Sequence, residues 1–191
     1  MKTLKELFLH QLGSRLSSEM QLVRGMPYII EEATASTLQS LMLSHHHETV
    51  RQVEKLTHVF QAFNQPAIAT KCEVTAKLIQ ECHRMIHAFG NSPAINAALV
   101  GAAQKIEHLE IASYGCLHEW SLHLRNDEAT GLLQELLSEE RTADQLLIKL
   151  ARFRCNKQAI AENNGADLQC DAYGHLVRSS SPQMTMPGIL S

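Results

Sequence analysis

The chain has 191 residues, a formal net charge of −3 and a pI near 6.4, a length that suits one domain, or one domain with a tail, around a sizeable core. That balance leaves no basic footprint for nucleic acid and no lysine-rich stretch for an anionic membrane surface. Aromatic residues make up only 5%, Gly and Pro number 9 and 5, and Leu, Ala, Glu and Gln are abundant, so composition favours an all-α fold. No apolar stretch approaches the length of a membrane span, and Met1-Lys2-Thr3-Leu4 opens into helix rather than a signal peptide, which points to the cytoplasm. The five cysteines (Cys72, Cys82, Cys116, Cys155 and Cys170) are scattered with no CxxC pair, as expected of reduced intracellular thiols rather than a disulfide frame or zinc knuckle.

Thr3-x-x-Glu6 reads as a capping box. From there Leu4, Phe8, Leu12, Leu16, Val23 and Met26 carry a helical period to Pro27, which kinks or restarts a helix ending near Ala33. Ser36-x-x-Gln39 repeats the capping signature for a second helix, stopped near Asn64 by Gln65-Pro66. Lys71 to Phe89 is a shorter amphipathic crossover helix closed by Gly90. Ser92-Pro93 supplies an N-cap and a first-turn proline for a long helix ending near Leu124. Ala97, Ala98, Gly101, Ala102 and Ala103 keep that helix slim, so that a neighbouring helix or a partner subunit can approach. Asn126-Asp127 caps a last helix running to about Arg152. Beyond Cys155 the period fades, and Ser179-Ser180-Ser181-Pro182 and Pro187-Gly188 read as a tail. The expected organisation is a helical bundle over 1–154 and a flexible C-terminal tail over 155–191.

Acids interrupt the apolar stripe of every long helix. Glu19 lies midway between Leu12 and Met26 in the first, and His45, Glu48 and Gln52 fill successive turns between Leu41 and Leu56 in the second. Glu107 and Glu110 share a face with Val100, Ala103, Tyr114 and Leu117, and Glu140 and Asp144 interrupt Leu133, Leu136, Leu137 and Leu147. Carboxylates crowded in a low-dielectric interior need a cation between them, and no Lys or Arg shares the stripe of Glu107 and Glu110. A metal ion is the natural candidate. Two placements satisfy the pattern, a buried metal site or acids at a solvated helix edge one residue out of phase. Gln52 is a ligand or a hydrogen-bond donor to a ligating carboxylate. Of His45-His46-His47 only His45 shares the Glu48 face, His83 and His87 read as a surface pair, and Tyr114 as a core residue bonding a carboxylate through its hydroxyl.

The helices also echo one another. Glu19 and Glu48 are separated much as Glu110 and Glu140 are, and Glu48-x-x-x-Gln52 is mirrored by Glu140-x-x-x-Asp144. Four segments then carry a resemblance. They are Ser18-Glu19-Met20-Gln21-Leu22, His45-His46-His47-Glu48-Thr49-Val50-Arg51-Gln52-Val53, the run from Ala102 through Lys105-Ile106-Glu107-His108-Leu109-Glu110 to Gly115, and Leu137-Ser138-Glu139-Glu140-Arg141-Thr142-Ala143-Asp144. Over roughly Met1 to Ala151 the chain resembles the YciE/YciF family of ferritin-like proteins. The resemblance implies a rubrerythrin-like four-helix bundle with an additional crossover helix, a homodimer, and a dinuclear transition-metal cofactor, iron first, with manganese or zinc as alternatives. It assigns the metal positions to Glu19, Glu48, Gln52, Glu107, Glu110, Glu140 and Asp144.

The chain departs from the usual di-iron pattern of Glu-x-x-His on two helices, since positions 51 and 143 are Arg and Ala. The site is therefore oxygen-rich unless His45 or His108 turns inward. Leu16-Ser17-Ser18 also lacks the tyrosine that many relatives carry before the first acid. Two functions follow. One is a dimetal-carboxylate protein of stress response with ferroxidase or peroxide-consuming activity; the other is a non-enzymatic helical dimer in which metal is purely structural. The tail is a candidate site for a protein partner.

Overall fold

The computed structural model describes residues 2–161, 168–170 and 176–178. Five long helices carry an all-α fold: α1 (Leu4–Glu31), α2 (Ser36–Ala62), α3 (Glu73–Phe89), α4 (Ile95–His123) and α5 (Asp127–Leu150). Short connections make hairpins of α1 with α2 and of α4 with α5. Contacts of α2 with α5 and of α1 with α4 close a four-helix bundle, and α3 lies across α4 and α1 as the additional helix. Among the described residues no helix is long and apolar enough to cross a membrane.

Helical structure continues past Cys155, where the tail was expected to begin, through a π-helical turn (Ala151–Cys155) and α6 (Asn156–Ala161). The physical reason is apolar: Cys155 is fully buried in the cluster that also holds Leu147. Farther on, β1 (Leu168–Cys170) and β2 (Leu176–Arg178) pair antiparallel, with Cys170 opposite Leu176. The rest of the segment read as a flexible tail (162–167, 171–175 and 179–191) lies outside the described residues.

Two of the expected caps form. Thr3 Oγ1 accepts from the Glu6 backbone N–H at 3.2 Å while the Glu6 carboxylate accepts from the Thr3 N–H at 2.6 Å, and Asn126 accepts from the Ala129 N–H at 3.0 Å. Two others are replaced. Ser36 is already inside α2, and the N–H groups of Thr34 and Ala35 before it donate to Asn96 Oδ1 of α4 at 3.0 and 3.1 Å. Ser92 stabilises the turn ahead of α4, accepting from Ala94 N–H at 3.2 Å, and α4 begins only at Ile95.

Pro27 neither ends nor restarts α1. It has no N–H for the carbonyl of Val23 one turn earlier, and His46 of α2 supplies a substitute, its Nε2 lying 3.0 Å from that oxygen. Gly13 answers a different need. The chain linking α2 to α3 crosses α1 there, Thr70 N–H donates to Gly13 O at 2.9 Å, and a Cβ at position 13 would stand 2.6 Å from Ile68 O. Only glycine leaves room for that crossing.

The core has two apolar blocks with a polar layer between them. Toward one end Phe8, Leu12, Leu56, Val59, Leu117 and Leu133 pack together, and toward the other Leu22, Met26, Leu38, Met42, Leu99 and Leu147 do. Between the blocks the four bundle helices turn Arg15, Glu19, His45, Thr49, Gln52, Glu107, Glu110 and Glu140 inward, each buried.

Candidate metal centre

Heptad spacing in three of the four bundle helices turns these side chains inward. In α1 the buried positions Phe8, Leu12, Arg15, Glu19, Leu22, Met26 and Ile29 advance by alternate steps of four and three residues; in α2 the run is Leu38, Met42, His45, Thr49, Gln52, Leu56 and Val59. In α5 it is Ala129, Leu133, Leu136, Glu140, Ala143 and Leu147. Such a run keeps one seam facing the bundle axis. Glu48 and Asp144 fall one residue off it, about 100° around the helix from their neighbours Thr49 and Ala143. Accordingly Glu48 and Asp144 are only partly buried while Thr49 and Ala143 face inward.

One nitrogen and three carboxylate donors converge. His45, Glu107, Glu110 and Glu140 each offer an atom within 4.8 Å of the others, all four residues buried. His45 Nε2 lies 3.2 Å from Glu107 Oε1 and 3.9 Å from Glu140 Oε2, and its Nδ1 is 3.6 Å from Glu48 Oε2. Gln52, fully buried, donates through Nε2 to Glu140 Oε1 and, at 3.2 Å, to Glu139 Oε2. Its amide therefore holds a carboxylate of the cluster. Glu19 stands beside the four, its Oε1 accepting from the Tyr114 hydroxyl and lying 3.0 Å from Arg15 Nε.

Asp144 pairs instead with the exposed His108, whose Nε2 is 3.3 Å away, and accepts weakly from Gln104 at 3.4 Å. The seven expected positions thus divide. Glu107, Glu110 and Glu140 join the cluster, Gln52 and Glu19 border it, and Glu48 and Asp144 stand at its margin. His45, left open in the sequence, turns inward; His108 does not.

The electrostatics show what this crowding costs. Burial, followed by the charges of Glu19, Asp144 and Glu48, pushes the Glu107 carboxyl up to about 8, although a hydrogen bond with Glu140 works the other way. Burial and neighbouring carboxylates hold Glu110 and Glu140 well above the ordinary range, opposed by Arg15 in the first case and His45 in the second. Burial works against a charged imidazole at His45, but Glu48, Glu140 and Glu19 outweigh it and raise its pKa. The Tyr114 phenol is raised too, by burial and by Glu19.

Several buried atoms in this layer have no hydrogen-bond partner: Glu19 Oε2, Glu107 Oε2, Glu110 Oε2, Glu140 Oε2, Gln52 Oε1, His45 Nδ1 and Arg15 Nε, the last meeting Glu19 as an ion pair only. Buried acceptors left unpaired are expensive, and a divalent cation among them would satisfy several at once. One imidazole with carboxylate oxygens is a donor set that suits iron, manganese or zinc. Beside the cluster, Met26, Met42, Leu99 and Ile106 help wall a cavity of about 40 Å³ that reaches His45 and Glu107.

Arg15 is the residue that sequence reasoning missed. It is 3% exposed, and its Nη2 lies 3.1 Å from Glu110 Oε1. No basic residue of α4 itself shares the stripe of Glu107 and Glu110; the cation arrives from α1. The signal was the heptad in which Arg15 falls between Leu12 and Glu19.

The profile described as Domain of unknown function (DUF892) matches residues 3–160, nearly all of the helical part. The chain belongs to this family. It is 35% identical over 160 residues to Protein YciF of Escherichia coli strain K12, covering 83% of this chain and 96% of that protein. The crystal structure of that protein, described as an E. coli stress protein, superimposes with a TM-score of 0.78 at 35% identity, covering 82% of this chain and 99% of the other. A protein from Rhodopseudomonas palustris described as YcfI, a putative structural protein, matches with a TM-score of 0.74 at 33% identity over 77% of this chain and 94% of its own. A Xanthomonas campestris protein at 18% identity and a TM-score of 0.65 shares the fold.

Proposed function

We propose that the chain is a ferritin-like metal-binding protein of stress response, whose core centre binds a redox-active transition metal and serves ferroxidase or peroxide-consuming chemistry. The observation that carries this reading is the set of buried, unpartnered carboxylate oxygens around His45. The stress connection rests on the description of the E. coli relative.

His45 Nε2 and the carboxylates of Glu107, Glu110 and Glu140 would hold the ion. When bound, a transition ion supplies an exchangeable electron and a Lewis-acidic position for an oxygen-derived oxidant. The chain's own groups prepare that position. Gln52 fixes one oxygen of Glu140, leaving the second free. The Glu48 carboxylate, 3.6 Å from His45 Nδ1, favours a charge on that side of the ring, while Nε2 faces Glu107. With its carboxyl at about 8, Glu107 holds its proton near neutrality in the metal-free protein, so ion binding expels a proton and strengthens as pH rises. The small, largely apolar cavity at His45 and Glu107 offers a place for dioxygen or peroxide beside the donors.

The experiment compares wild type with Glu107→Gln. Purified wild-type protein given ferrous or manganous ion without oxygen should bind it and melt at a higher temperature, and the ferrous form should consume peroxide. Glu107→Gln should lose most of the bound metal and most of the thermal gain. Wild type that binds no ion overturns the reading. Stoichiometric binding without turnover favours the second reading, a structural protein in which the ion only rigidifies the bundle, as the description of the R. palustris relative suggests.

A further inference from the structure

Arg15 is more than a neutralising charge. Nε lies 3.0 Å from Glu19 Oε1 and Nη2 lies 3.1 Å from Glu110 Oε1, so the guanidinium spans two acids on different helices. Nη2 also donates to Ser18 Oγ, which bonds Thr75 Oγ1 of α3, and both hydroxyl residues are buried. Its central carbon sits 5.5 Å from the centre of the Tyr114 ring. A guanidinium so enclosed neither swings out nor gives up its proton, and its planar fork suits two carboxylates better than an ammonium would. Glu19 is not among the four metal donors, and Glu110 belongs both to them and to the Arg15 pairings.

We infer that Arg15 is the permanent second cation of this centre, standing where a dinuclear site would keep its other ion, so that the bundle takes one metal ion per chain, held by His45, Glu107, Glu110 and Glu140. This rests on the metal-binding reading above and deepens it. A second ion would need Glu19 and Glu110, whose Oε1 atoms already face the Arg15 guanidinium, so that only one oxygen of each, Oε2, is left for metal. It would also lie beside a fixed positive charge in a low-dielectric layer, where like charges repel strongly. Glu19 is then the counter-ion of Arg15 rather than a ligand, and Tyr114, donating to the same oxygen, holds that counter-ion in place.

The test is stoichiometry. Wild-type protein saturated with manganous ion should hold one ion per chain by elemental analysis and give the paramagnetic resonance spectrum of an isolated ion. Arg15→Met should rise to two ions per chain with an exchange-coupled spectrum, Arg15→Lys should remain at one, and Glu19→Gln should keep its single ion. Two ions in wild type overturn this inference while leaving the metal-binding reading intact, whereas no ion in wild type removes both. Arg15→Met that folds and still binds one ion also overturns it. If Arg15→Met does not fold, the wild-type spectrum decides, because a coupled pair beside an intact Arg15 is incompatible with the proposal.

Discussion

The apolar block around Leu12, Leu56, Leu117 and Leu133 and the polar layer beside it are built on the same four helices, three of them by the same heptad steps, yet they are stabilised in different ways. In the block each side chain is buried among interchangeable partners, and hydrophobic area does the work. In the layer each group depends on specific neighbours: Arg15 on Glu19 and Glu110, Gln52 on Glu140, Tyr114 on Glu19. Burial that stabilises a leucine raises the free energy of a carboxylate. The layer therefore weakens the bundle it sits in unless a cation completes it.

That contrast can be broken from either side. The largest effect is expected in the block: Leu133→Ala, at a fully buried position, should lower unfolding stability by about 2–5 kcal/mol in denaturant titration while leaving the metal content of the folded protein unchanged. Loss of metal in step with loss of packing would show that the two regions are not separable.

Next comes pH. The Glu107 carboxyl, at about 8 against an ordinary 4.5, binds protons more tightly in the folded chain than in the unfolded one. Its contribution is complete below about 4.5 and is lost as pH rises through 8; Glu110, Glu140 and His45, also raised, act in the same direction. Metal-free protein should therefore melt roughly 5 °C or more higher at pH 5.5 than at pH 8. Saturating metal should flatten or reverse that slope, and a metal-free melting temperature independent of pH would contradict the buried cluster.

The smallest effect sharpens the boundary between the regions. His46→Ala removes the donor that serves the Val23 carbonyl opposite Pro27 and should cost roughly 1 kcal/mol, visible as a small shift of the denaturation midpoint. Pro27→Ala in the same background restores a backbone N–H and should recover part of the loss.

The bundle was legible because apolar period, the Thr3 and Asn126 caps and the stops at Gln65-Pro66 and Gly90 are local signals that agree with one another. Ser36 and Ser92 misled for a shared reason: each has the right local spacing, but α2 starts at Ser36 itself behind a segment that Asn96 of a distant helix holds, and the turn before α4 takes Ser92. Glu107 and Glu110 are three residues apart, so both follow the apolar face of α4 and both are buried. Glu48 and Asp144 were drawn toward the axis because an apolar stripe can be drawn one residue wide of its heptad, and a single residue moves a side chain out of the core. Arg15 was hidden by chemistry, since a basic residue in a helix normally faces water and its partners lie on two other turns of the fold.

Gly13 gives this polar layer an unexpected origin. By accepting the Thr70 N–H against its bare backbone, it fixes where the linking chain crosses α1 and hence where α3 can begin. The start of α3 sets Thr75 beneath Ser18, and Ser18 steadies the arginine. The alignment of the buried cation is thus inherited from a residue with no side chain, two positions away, acting through a detour of more than a helix turn of intervening chain.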